Sequence, residues 1–332
     1  MFAGLTLATM LRLRITSPAD RTDHALAALE ADGAVSSVAV LRGASVQPPG
    51  DLIFADVARE GANDVVESLR ALHLQPEGTL QIDPVTTWVS KAGYEAEQRT
   101  PGSGADSVVW IQVIKGAYDD TELNWTFIGF ISMATMLAAI AIVLDSPILT
   151  VGAMVLGPEF GAVAALGVAL VRRRFRLLRR AAATLVVGFG LAIAATTVVT
   201  LCGKAIGWVT LDDVTGPRPE TEFIYYPDHW SLVVAVIAGA AGVLSLTSSK
   251  TGGLSGVFIS VTTVPAAGNV ALGLAFGVGR EIWGSTLQLG INLVGMAIAG
   301  WLTLVLQQTI WSRVSDRRAK FLGRIAKRDS MW

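Results

Sequence analysis

The chain changes its hydrophobic rhythm near Asn124. Ahead of that point, short apolar stretches repeat every two residues or about every 3.6, the signatures of strands and amphipathic helices. Leu11, Leu13 and Ile15 alternate with Arg12 and Arg14, predicting a half-buried strand that Ser17-Pro18 ends. Residues 20–32 predict a helix with Ala25, Leu26 and Leu29 on one face and Gly33 as its stop. Strands follow over 35–41 and 52–57, separated by the turn Gln47-Pro48-Pro49-Gly50. A second helix, capped near Asn63, carries Val65, Val66, Leu69 and Leu72 on one face, and Gly78 leads into a strand over 79–85. The order β-α-β-β-α-β is that of an α+β ferredoxin-like domain, placed at residues 1–90.

Residues 91–124 read as a linker, flexible at Thr100-Pro101-Gly102-Ser103-Gly104. Within it, Trp110, Ile111, Ile114 and Tyr118 recur at helical spacing, which predicts a short interfacial helix; the alternative is a strand extending the first domain. From Trp125 onward the apolar runs are far longer. Six spans are predicted, over 125–144, 147–171, 181–201, 231–247, 254–279 and 285–310. Residues 125–311 therefore read as a polytopic α-helical membrane domain, with a basic tail over 312–332. Asp145-Ser146-Pro147 joins the first two spans as a tight hairpin, with a helix N-cap and a proline at the first helical position.

Composition supports the membrane assignment. Charged residues make up 16 % of the chain, against about a quarter in soluble proteins, and the mean hydropathy is +0.53. The single Cys202 excludes an internal disulfide and a cysteine-based zinc site. His24 and His73 stand alone, no GxGxxG or GxxxxGK occurs, and no cofactor is expected. The start, MFAGLTLATMLRLR, lacks a basic region ahead of its apolar residues and is not expected to act as a signal peptide.

The net charge of -1 says little about partners, because the charges are unevenly placed. Arg172, Arg173, Arg174, Arg176, Arg179 and Arg180 join the second and third spans and predict a cytoplasmic loop. The next loop holds Asp212, Asp213, Glu220, Glu222 and Asp228 against Lys204 and Arg218, so it is expected outside, with Tyr225, Tyr226 and Trp230 as an aromatic belt. The tail is basic again. An even number of spans then puts both termini in the cytoplasm of a multi-pass inner (plasma) membrane protein. Topology accounts for the basic loop, and no nucleic acid is expected as a partner.

The chemistry centres on residues 145–171. Gly157, Pro158 and Glu159 fall near the middle of this span. Proline removes a backbone donor and clashes with the preceding turn, so the helix is expected to break there. A carboxylate at that depth costs about 2.5–3.5 kcal/mol unless it faces protein, a partner or water. Pro158-Glu159-Phe160-Gly161 has a counterpart in Pro265-Ala266-Ala267-Gly268, followed by Asn269. Val187-Gly188 stands at the same offset from Val294-Gly295. An odd number of spans per copy makes the second copy inverted relative to the first. Paired broken helices in inverted repeats point to a transporter site near the midplane. Gly157, Pro158, Glu159, Gly161, Pro265, Gly268 and Asn269 are accordingly the candidate binding residues, with Glu159 a candidate proton acceptor. Ser260, Thr262 and Thr263 offer a different outcome, a proline kink repaired by hydroxyls. Asp145 at the outer mouth and Asn292 in the sixth span complete the candidates, although a cap and an interhelical bond are the ordinary roles for such residues. Gly157-x-x-x-Gly161 and Gly273-x-x-x-Gly277 read as close-packing faces, and such faces suggest a homo-oligomer.

Residues 125–171, with Leu144-Asp145-Ser146-Pro147 and Gly152-Ala153-Met154-x-x-x-Pro158-x-x-Gly161, resemble an uncharacterised prokaryotic membrane family, domain of unknown function 389. The likeness continues through Val264-Pro265 to Gly268 and Ile291-Asn292-Leu293-Val294-Gly295. It implies a small soluble domain ahead of about six spans. The family pattern tends to carry an apolar residue after the first motif proline and a second proline after the motif glycine; Glu159 and Ala162 stand there in this chain.

The function expected from these features is a transporter or channel for a small solute or ion, working in the lipid bilayer and regulated by the front domain. The alternative is a membrane-anchored sensor or scaffold whose soluble domain binds a ligand or partner. No enzyme is expected, since the spans hold no HExxH, no paired aspartates and no Ser/His pair.

Overall fold

The computed structural model describes residues 10–74, 76–85, 87–100, 108–221, 224, 229–247 and 263–329, with side chains as far as residue 309 apart from Ser245. Contacts divide the chain into two compact units; the first holds the residues up to Val113 and the second starts at Ile114.

In the first unit the elements run β1 (Met10–Ser17), α1 (Thr22–Glu30), β2 (Val35–Val46), β3 (Pro49–Ala58), α2 (Ala62–Ala71), β4 (Thr79–Val85) and α3 (Lys91–Arg99). The four strands form one sheet in the order β2-β3-β1-β4, each antiparallel to its neighbour. The β-α-β-β-α-β order follows the sequence reading. Register places Leu13 opposite both Ala55 and Ile82, and Ile15 opposite Ile53. These side chains join Ala25 and Leu29 of α1 and Val65 and Leu69 of α2 in one buried cluster. Each fully buried Leu or Ile there contributes about 1.5–3 kcal/mol. On the other side of the pleat, Arg12 pairs with its cross-strand partner Asp56 at 2.7 Å.

Two local features differ from expectation. Helix α3 occupies the first part of the stretch read as a linker and packs on β2 and β3. Asn63 does not cap α2, which starts at Ala62 with Gly61 as its N-cap. Its amide instead donates to the Val108 carbonyl at 2.7 Å and accepts from the Trp110 N–H at 3.1 Å. Asn63 thus satisfies an orphan donor at the start of α4 (Trp110–Asp120), the helix predicted within 107–118.

The second unit is helical. Helix α5 (Trp125–Val143) starts on Asn124, whose side chain accepts from the Phe127 N–H at 2.8 Å. Helices α6 (Pro147–Leu156) and α7 (Glu159–Val171) form a pair bent by 58°. Next come α8 (Phe175–Ala205), α9 (Leu211–Thr215), α10 (His229–Thr247), α11 (Thr263–Phe276) and α12 (Gly279–Asp329). Among the described residues three helices are long and apolar enough to cross a bilayer: α5, α8 and the Gly279–Thr309 part of α12; the bent pair makes a fourth if counted as one span. Helices α10 and α11 are apolar but shorter among the described residues. Val186 on α8, Ile237 on α10 and Leu306 on α12 are exposed large apolar side chains, the outward surface expected of a protein that sits in lipid.

Small residues bring these helices together. A Cβ on Gly268 of α11 would stand 2.9 Å from the Ala139 nitrogen of α5, and one on Gly167 of α7 would stand 3.1 Å from the Trp301 nitrogen of α12. Gly273 packs on Ile282, but Gly277 does not serve as a packing face. It takes φ +71 and ends α11, with the Val278 N–H donating back to the Gly273 carbonyl at 2.9 Å.

The turns lie where the pattern placed them. Asp145 takes φ 44, Ser146 caps α6 through the Leu149 N–H, and Pro147 opens the helix. The ends of α5 and α11 meet α9 in one apolar cluster, with Ile142, Val214, Ile224 and Leu272 buried in it. The arginine-rich turn lies between α7 and α8, where the Arg180 guanidinium and the Thr184 hydroxyl both donate to the Thr121 carbonyl. Tyr225, Tyr226, Ser260 and Thr262 lie outside the described residues, as do the side chains of the basic tail.

Candidate functional site

The helix break forms as the proline requires. Helix α6 ends with Gly157 as its C-cap, and Pro158, which has no N–H to donate, is the N-cap of α7. Glu159 is the first residue of α7, where the helix dipole favours a negative charge. Its carboxylate reaches α11: Oε1 accepts from the Thr263 hydroxyl at 2.7 Å. Glu159 is 8 % exposed, and its Oε2 accepts no hydrogen bond among the described residues. A Cβ on Gly157 would stand 2.9 Å from the Val264 side chain. The residues flanking Pro158 therefore meet those just ahead of Pro265.

Pro265 is buried in the first turn of α11. The segment before it, residues 248–262, lies outside the described residues, and with it the expected break inside the fifth span. Gly161 has another neighbour: a Cβ there would stand 2.8 Å from the Asp120 carboxyl carbon at the end of α4. Gly268 serves the packing against α5 already described.

The repeat groups Asn269 with Glu159, but its hydrogen bonds go elsewhere. It sits in a buried polar cluster with Arg218, Glu281 and Ser285. Arg218 donates from Nη1 to Asn269 Oδ1 at 3.1 Å and from Nη2 to Glu281 Oε2 at 3.0 Å. Asn269 Nδ2 lies 2.7 Å from the same Glu281 oxygen and 2.8 Å from Ser285 Oγ. Asp145 lies in the turn at that end of the unit and accepts from the Thr221 hydroxyl at 2.8 Å. It holds the loop that carries Arg218. Asn292 is buried farther along α12.

Sequence reasoning missed Arg218, Glu281, Ser285 and Gln288. Arg218 was counted only as a loop charge. The others had a legible signal: Glu281, Ser285, Gln288 and Asn292 fall at i, i+4, i+7 and i+11, one face of a helix. Their exposures of 5, 0, 1 and 1 % show that this face is turned into the protein. Among the described residues no three His, Cys, Asp or Glu side chains gather to hold a metal ion.

Residues 154–298 match the family described as Domain of unknown function (DUF389). The matched stretch runs from the last turn of α6 into α12 and contains both prolines and the whole polar cluster. Comparison with curated proteins and with solved structures gives no match.

Proposed function

We propose that this member of the DUF389 family is a membrane transporter or channel for a small solute or ion, with its site at the helix break. The observation that carries the proposal is the meeting of Glu159 with Thr263. It joins the two proline segments that the sequence relates, and it buries a carboxylate with one oxygen that accepts no hydrogen bond among the described residues. Ionisable groups at such a depth are expensive and characteristically mark ion and substrate pathways. Backbone freed by a broken helix adds carbonyls and N–H groups that can bind a polar solute where they line a cavity.

In this proposal the chain crosses the inner membrane six times as two inverted three-helix repeats. α10 and α11 belong to the spans not counted above. The arginine-rich turn and both termini face the cytoplasm. The four-stranded sheet unit then regulates transport from that side, and the protein works as a homo-oligomer.

Reconstitution of the full chain in phosphatidylethanolamine/phosphatidylglycerol vesicles tests this directly. Protein-dependent flux of an ion or small solute, reduced in Glu159→Gln, is the expected result. Folded protein that leaves the vesicles tight to every ion and solute screened would remove transport and leave the sensor or scaffold role.

A further inference from the structure

The buried polar face of α12 leads from the Arg218–Glu281 pair toward the depth of Glu159. Helix α12 leaves the end of the unit where α11 turns back, and α6 leaves the same end, so α6 and α12 run in the same general direction. Gly167 of α7 abuts Gly300 and Trp301 of α12. Glu159 stands 12 residues past the start of α6 and Asn292 stands 13 residues past the start of α12, so the two lie at similar depths from that shared end. Leu289, Leu293 and Met296 of α12 pack in the same core as Val264 of α11 and Ala162 of α7, the near neighbours of Thr263 and Glu159. On the other side, the exposed Asp120 lies against Gly161, two residues beyond Glu159.

The chemistry selects the ion. A hard metal cation needs several oxygen ligands. Among the described residues, the Glu159 carboxylate has the Thr263 hydroxyl as its one side-chain hydrogen-bond partner. A proton needs only one oxygen without a hydrogen bond, and among the described residues Glu159 Oε2 is one, in a side chain more than nine-tenths buried. Serine and carboxamide side chains spaced along one helix face can hold the waters or hydrogen bonds through which a proton moves.

We propose that the transported or coupling ion is the proton, that Glu159 carries it, and that Ser285, Gln288 and Asn292 form its route from the Arg218–Glu281 pair. This rests on the transport reading above. The step balances simply: a hydronium ion gives its proton to Glu159 Oε2, leaving water and a neutral acid, and the acid later returns the proton to water on the Asp120 side. Among the described residues, Asp120 on α4 is a titratable group against that start of α7, and Thr263 is a polar neighbour from α11. The Arg218–Glu281 pair closes the route in the state described.

Vesicles of the same composition, loaded with pyranine and given a potassium diffusion potential, test the assignment with the full chain. Wild type should acidify or alkalinise according to the sign of the potential. Glu159→Gln should fall to the rate of protein-free vesicles, and Glu159→Asp should regain part of the flux. Gln288→Leu and Asn292→Leu should each slow it severalfold while eluting as folded protein. Vesicles that pass potassium or chloride with a flat internal pH would overturn the proton assignment and leave transport standing. Proton flux unchanged in Gln288→Leu and Asn292→Leu would overturn the route, and vesicles tight to all three ions would overturn both readings.

Discussion

Two glutamates in the helical unit are buried to nearly the same degree and live in different company. Glu281 Oε2 accepts from both Arg218 and Asn269, so its charge is matched by a guanidinium at 3.0 Å. Among the described residues Glu159 has the Thr263 hydroxyl and a helix N-terminus, with no side-chain ion pair and with Oε2 accepting no hydrogen bond. Burial alone does not distinguish structure from function; the completeness of the hydrogen bonding does. The Glu281 cluster ties the loop after α9 to the start of α12. Glu159, at the place where the chain gives up its helix, is the residue on which the proposed site rests.

The largest effect that can break this comparison is expected at Glu281. Removing one partner of a buried ion pair leaves the other charge uncompensated and costs about 3–5 kcal/mol. Glu281→Leu should therefore lower thermal stability of the detergent-solubilised chain sharply. Arg218→Leu combined with Glu281→Leu should recover much of the loss, because neither charge is then stranded. A single variant as stable as wild type would show that the pair is not the fastening described.

Next in size is the packing beneath both sites. Gly268→Ala pushes a methyl group against the α5 backbone at Ala139, and overpacking of this kind costs about 1–3 kcal/mol. The same melting assay should register it. No change would mean that α5 and α11 can separate without strain.

Glu159→Gln should move the other way. It removes a buried charge that lacks a full set of partners, so stability should hold or rise by about 1 kcal/mol while flux is lost. Destabilisation as large as that of Glu281→Leu would place Glu159 among the structural residues.

The smallest effect comes from a carboxylate outside the membrane part. Asp51 in the sheet unit accepts from the Gly43 N–H at 2.7 Å. That bond, followed by one from the Thr22 hydroxyl, holds its carboxyl below the usual range. A lowered folded value contributes stability above the unfolded value of about 4, and the contribution is lost as pH falls through the folded value. Asp51→Asn should therefore lower the melting temperature slightly at neutral pH and by less in acid. An equal shift at both pH values would assign the loss to geometry instead of charge.

The contrast also explains what the sequence could reveal. Strand and helix order in the first unit was legible because Leu11, Leu13 and Ile15, and then Val65, Val66 and Leu69, repeat with clean periods. The break at Gly157-Pro158 was legible because proline cannot donate, wherever it sits. Asn63 misled because a polar residue at a helix start looks like that helix's own cap, and nothing local says that it reaches Val108. Arg218 was hidden for a related reason. In a loop its charge reads as topology, and only tertiary packing against Asn269 and Glu281 turns it inward. Pairing Asn269 with Glu159 followed from the repeat, but hydrogen bonding depends on helix face, and Asn269 faces the start of α12. The stripe from Glu281 to Asn292 was within reach of a period count along the sixth span.

Aqueous access to the helix break is the most direct measurement. Cys202 is the single cysteine, so a Cys202→Ser background permits one reporter thiol at a time. Thiol labelling of the Thr263→Cys variant by a charged, membrane-impermeant methanethiosulfonate, in vesicles holding the full chain, reads whether water reaches Glu159. Asp120→Cys serves as the exposed reference. Labelling of Thr263→Cys that proceeds from at least one side of the vesicle is the predicted result. A Thr263→Cys thiol that stays unlabelled from both sides, while Asp120→Cys reacts, would make the break a sealed structural kink and contradict the proposed site.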